Sequence, residues 1–97
     1  MKEEASVAGP MEGLARIPQD RIAVLIGRKG ATRRALEEAT NSKLHIDSTS
    51  GDVFVVWNEE FDPILRMKFP DVIRAIGRGM NPERALQLLK DDQHLRL

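Results

Sequence analysis

The chain is 97 residues long, enough for one domain around one hydrophobic core and too short for two. Hydrophobic residues make up 41% of it and cysteine is absent, which removes disulfides, thiolate metal sites and cysteine nucleophiles; no apolar run approaches the roughly 20 residues that span a bilayer. Fifteen basic and fifteen acidic side chains cancel to a net charge of +0, so the chain is not a polycation of the histone or tail type.

Residues 1–13 contain Gly9-Pro10, Gly13 and little apolar periodicity, and read as a mobile leader. Its start, Met1-Lys2-Glu3-Glu4, is acidic and lacks the apolar segment of a secretory signal, which predicts a cytoplasmic protein. Leu14-Ala15-Arg16-Ile17 alternates and is closed by Pro18, as an edge strand would be. Gln19 or Asp20 then caps a short helix through Ile26. That run is apolar almost throughout, and the proline and acidic residue before it decide for helix over strand.

Gly30 opens a second helix, Ala31 to about Thr40, with Arg33–Glu37 and Arg34–Glu38 as weak i,i+4 pairs, stopped by Asn41-Ser42. Lys43–Asp47 and Val53–Trp57 are β-rich runs around the polar loop 48–52 and predict an antiparallel hairpin. Asp62-Pro63 starts a helix toward Gly77 that Pro70 should kink or split, with Gly77 or Gly79 as its stop. Asn81-Pro82 repeats the cap-then-proline signal before a last helix, in which Leu86 and Leu89 should dock on the domain.

The chemistry concentrates at Gly27-Arg28-Lys29-Gly30, between the first two helices. From Arg16 to Arg34 the basic residues Arg16, Arg21, Arg28, Lys29, Arg33 and Arg34 face Asp20 alone, a net of +5, and the remainder has a net of −5. The glycines permit unusual backbone angles and leave no Cβ between the chain and a ligand. Phosphates could approach amides at the start of the second helix, where the helix dipole also favours negative charge. Gly-x-x-Gly alone is a weak pattern. An ordinary helix cap beside a solvated basic face would look the same, and the weight comes from the apolar helix before it and the hairpin after it.

That arrangement over 14–79 resembles the eukaryotic-type (type I) KH domain, an α+β fold of order βααββα with a three-stranded antiparallel sheet packed against helices, here followed by an extra C-terminal helix. The run Ile17–Gly30 and the segment Val72–Leu89, with its Gly77-Arg78-Gly79-Met80-Asn81-Pro82, look like the first KH module of the KH-containing small-subunit ribosome-assembly factors. These are the archaeal counterparts of the eukaryotic Partner-of-Nob-One protein. The resemblance implies single-stranded RNA binding, namely small-subunit rRNA near its 3′ end, in company with a maturation endonuclease. The family usually carries two modules, so residues 80–97 would be a helix and tail linking toward a second one. The intact Gly27–Gly30 implies an archaeal origin.

Carried over by position, Gly27, Arg28, Lys29 and Gly30 would clamp the nucleotide backbone. Ala23 and Ile26 would floor an apolar groove, with Leu36 beneath and Leu44 or Ile46 closing the far side. The strand backbone around His45 and Ile46 would read base edges, and Arg33 and Arg34 would touch phosphates.

No nucleophile–base pair, metal constellation or cofactor loop is present in the sequence. Gly77-Arg78-Gly79 is followed neither by a third spaced glycine nor by a Lys-Ser/Thr pair, so it reads as helix termination. The expectation is a non-enzymatic module without cofactor, metal, small-molecule substrate or membrane contact. A KH-fold protein-interaction scaffold for a pre-rRNA nuclease or an initiation factor is the alternative, because the −5 outside the basic segment offers an acidic face to a basic partner. Trp57 could stack a base, but a core or partner-facing role fits a fold that reads bases with aliphatics.

Overall fold

The structure, a computed structural model, describes residues 11–94, with side chains through Lys90. The elements are β1 (Glu12–Arg16), α1 (Gln19–Ile26), a single 3-10 turn (Arg28–Gly30), α2 (Ala31–Thr40), β2 (Ser42–Ile46), β3 (Asp52–Trp57), α3 (Pro63–Gly77) and α4 (Pro82–His94). The three strands form one antiparallel sheet in the order β1-β3-β2. This is the expected type I arrangement with its additional helix.

Alternation decides what the sheet buries. Leu44 of β2 and Val53 and Val55 of β3 turn toward the helices and are buried, while Lys43 and His45 stand exposed on the opposite phase. Onto the inner face pack Ile22 and Leu25 of α1, Leu36 of α2, and Leu65, Phe69, Val72, Ile73 and Ile76 of α3. Ala85 and Leu89 of α4 join the same cluster, at 0% and 1% exposure, so α4 is part of the core. Trp57 is buried there too, edge-on to Phe69 at 5.7 Å between centroids, and is not a base platform.

The structure corrects four expectations. The first strand begins at Glu12, so Glu12 and Gly13 belong to the sheet, opposite Val55 and Phe54; residues 1–10 of the leader lie outside the described residues. The Glu12 carboxylate accepts from Trp57 Nε1 at 3.0 Å and pairs with Arg66, contacts across 45 and 54 residues that no local pattern announces. Neither Gln19 nor Asp20 caps α1: Pro18 holds that position, and the Gln19 amide instead donates to the carbonyls of Ser48 and Thr49 in the β2–β3 loop.

Pro70 does not split α3, which runs unbroken from Pro63 to Gly77, because both halves bury one apolar face against the same core. The i,i+4 pairs on α2 are redirected. Glu37 accepts from the Leu44 N–H, and Arg34 donates to the Lys29 carbonyl.

The two cap-then-proline signals hold as read: Asp62 Oδ1 accepts from the Ile64 N–H at 2.9 Å and Asn81 Oδ1 from the Glu83 N–H at 2.8 Å. Gly77 ends α3 without a left-handed turn. A Cβ there would come within 2.6 Å of Ile17 Cγ2, so its role is close packing of the helix on the chain after β1.

Candidate nucleic-acid interface

The loop between α1 and α2 is built by two tight reversals. Gly27 adopts φ 78°, ψ 173°, a conformation L side chains rarely take, and a Cβ on it would stand 2.7 Å from the Thr32 Cβ. Lys29 lies in the left-handed region at φ 55°, ψ 28°, and its carbonyl is held by Arg34 Nη1 at 2.9 Å. Arg34 thus braces the loop from one turn into α2. Arg28 and Lys29 are exposed at the tip.

Several amides of this turn are already engaged. Gly27 N–H donates to Ala23 O at 2.8 Å, Gly30 N–H to Gly27 O at 3.1 Å and Ala31 N–H to Arg28 O. The bare loop amides are therefore those of Arg28 and Lys29, within the loop, and not those of Gly30 and Ala31 at the mouth of α2. Two N–H groups flanked by two cationic side chains suit an oxyanion such as phosphate.

The basic segment is less uniformly available than its sequence suggests. Arg16 pairs with Asp52 at 3.0 Å, and Arg21 closes the C-terminus of α3 by donating to the carbonyls of Ile76 at 2.9 Å and Met80 at 3.1 Å. The positive charge that faces outward gathers at Arg28, Lys29, Arg33 and Arg34. Arg33 is half-buried, and its Nε is shielded from solvent without an acceptor.

On α1, Ala23 is exposed and Ile26 half-buried, whereas Leu36 is fully buried beneath them. Of the two β2 residues expected to close the far side, Leu44 is 3% exposed and offers no side-chain surface; Ile46 is half-buried at the margin of the core.

β2 lies at the edge of the sheet, and the hydrogen bonds beyond its two ends give its phase. Asp47 N–H donates to Asp52 O at 2.9 Å and Asn58 N–H to Asn41 O at 3.2 Å, so odd-numbered residues face β3. The backbone groups of Leu44 and Ile46 consequently point to the open edge, and those of His45 point inward to β3, so His45 presents only its side chain. Glu37 Oε2 occupies the Leu44 N–H at 2.7 Å. Sequence reading missed Glu37, because a glutamate four residues after an arginine on a helix reads as a surface ion pair.

A family model described as the KH domain matches residues 14–91. Over 79 residues the chain is 40% identical to the KH domain-containing protein MJ0443 of Methanocaldococcus jannaschii, a stretch covering 81% of this chain and 35% of that protein. It is similar to the crystal structure of Dim2p from Pyrococcus horikoshii OT3, with a TM-score of 0.75 and 46% identity, covering 84% of this chain and 49% of that one. The crystal structure of an a/eIF2alpha-aDim2p-rRNA complex from the same organism matches with a TM-score of 0.74 and 47% identity, covering 82% of this chain and 45% of the other. The chain spans about a third of the length of the curated relative and about half that of the structural ones.

Proposed function

The chain belongs to the KH-domain family, and on that premise we propose that it binds single-stranded RNA, specifically small-subunit rRNA near its 3′ end in ribosome biogenesis. The observation that carries this reading is the 27–30 loop, where two unengaged amides and two exposed cations meet beside the exposed Ala23 and the half-buried Ile26. The Pyrococcus relative named in a complex with rRNA supports the choice of ligand.

In this reading Gly27 to Gly30 hold the sugar–phosphate backbone of about four nucleotides. Ala23, Ile26 and Ile46 give the bases an apolar surface, and the open-edge N–H and C=O of Ile46 meet base edges. Arg33 and Arg34 neutralise flanking phosphates. In this reading the module works without catalysis and in the cytoplasm, and its archaeal relatives support an archaeal setting.

Binding of wild type and Arg28→Asp/Lys29→Asp to pyrimidine-rich and unrelated short RNAs tests the clamp. The variant should lose about tenfold or more in affinity for every sequence alike, because the lost contacts are to phosphate. Equal binding by the two proteins overturns it.

The second reading, a protein-interaction scaffold, draws on the a/eIF2alpha named in the Pyrococcus complex. An initiation factor is the favoured protein partner; the maturation endonuclease rests on family resemblance alone. A pull-down surviving high salt and the Arg28/Lys29 variant favours the scaffold, and one abolished by ribonuclease counts against it.

A further inference from the structure

Below the braced loop, a cavity of about 310 Å³ opens between the outer stripe of α2 and the start of β2. Arg34, Glu37 and Glu38 line it from one face of α2 at the i, i+3, i+4 spacing, Asn41 lines it from just past the helix end, and Lys43 and Asn58 complete it. Its walls are held in place. Arg34 is bonded to the Lys29 carbonyl, Glu37 to the Leu44 N–H, and Asn41 Oδ1 accepts from Asn58 Nδ2 at 2.7 Å while Asn41 Nδ2 donates to Glu60 O at 3.1 Å. The same Arg34 therefore touches both the phosphate-binding loop and this cavity, so a strand clamped at the loop and running along the β2 edge would arrive here.

We infer that this cavity is a base-reading subsite whose selector is Glu37 and whose preferred base is guanine. The inference deepens the RNA-binding reading and rests on it. A carboxylate is an acceptor only, and an oxygen has more than one lone pair. With one lone pair of Oε2 spent on Leu44 N–H, Glu37 still has acceptor capacity on both oxygens. Among the four RNA bases, only guanine presents two adjacent donors, N1–H and N2–H2, on its Watson–Crick edge. Cytosine, adenine and uracil each set an acceptor beside their single donor group, which would face the carboxylate's negative charge across the same gap.

Lys43, on the other wall, is a donor suited to guanine O6 or to the following phosphate. The bond to the β2 edge holds the Glu37 carboxylate in place, and a fixed acceptor discriminates better than a mobile one.

The test is competitive binding of short single-stranded RNAs in which guanine, inosine or each other base is placed in turn at every position of an otherwise uniform strand. Wild type should favour guanine at one position by about tenfold, within the range for a bidentate base contact. Inosine, which lacks the N2 amino group, should give up most of that preference. Glu37→Gln keeps an oxygen for the Leu44 N–H, so its thermal unfolding should follow wild type, but it replaces an acceptor with a donor and should erase the guanine preference.

Retention of the preference in Glu37→Gln overturns the assignment. Flat base preference in a wild type that still depends on Arg28 and Lys29 also overturns it, and leaves the RNA clamp standing. Absence of RNA binding by wild type removes both.

Discussion

Single side chains at this interface work through partners outside their own secondary-structure element. Glu37 is the clearest case: its neighbour for chemistry is the Leu44 amide on the sheet edge, which decides that a carboxylate sits where bases would be read. Arg21 is the converse, a cation in the basic segment that is taken out of play by the carbonyls at the end of α3. Arg16 and Asp52 show the same at the outer end of the β1–β3 ladder. The hydrogen bond from Arg16, then that from the Ser50 hydroxyl, holds the Asp52 carboxyl below its ordinary range.

A depressed carboxylate stabilises the fold at pH values above its unfolded pKa, and that contribution is lost as pH falls through the folded value. Asp52→Asn should therefore lower the thermal midpoint slightly at neutral pH, and the gap to wild type should close in acid below the aspartate range. A gap that stayed constant with pH would show that Asp52 acts through packing or through its role in the turn.

Among the elements, α4 docks as its leucines predict and goes deeper than a link toward a second module would need. Leu86 packs against the core, and Ala85 and Leu89 are buried in the part of it that β2, β3 and α3 share. Leu89→Ala should cost about 2–5 kcal/mol in urea unfolding, as for other buried leucines, with Trp57 fluorescence and far-UV circular dichroism changing together. A loss within about 0.5 kcal/mol would return α4 to the status of an appendage. The hairpin and the capped helix starts were legible because their signals are local: alternation, turn residues, Asp62-Pro63 and Asn81-Pro82. The unbroken α3 was not. A proline's local penalty is visible in sequence, but the burial of Leu65, Phe69, Val72, Ile73 and Ile76 that outweighs it belongs to the assembled core.

At the scale of the molecule, zero net charge coexists with a concentrated positive site. The folded chain withdraws Arg16 and Arg21 into structural pairs and leaves Arg28, Lys29, Arg33 and Arg34 around one loop. With about three or four phosphates neutralised, a plot of log affinity against log salt should have a slope of roughly −2 to −3. The Arg28→Asp/Lys29→Asp variant should flatten it by more than one. A slope near zero in wild type would mean that RNA is held by stacking or apolar contact alone. Four phosphate contacts are a modest grip, and linkage to a second binding module would raise it through effective concentration.

From its amino acids alone the chain already specified the order of elements, the antiparallel hairpin, the two proline-capped helices and the Gly27–Gly30 loop between basic flanks, because each is written in residues close together. Tertiary structure alone decided which loop amides stay bare, which arginines are taken up in structural pairs, that Ile46 and not Leu44 offers side-chain surface, and that Glu37 reaches Leu44. Those outcomes depend on how α1, α2, α3 and the sheet are placed against one another, and neither periodicity nor cap and turn signals encode that placement.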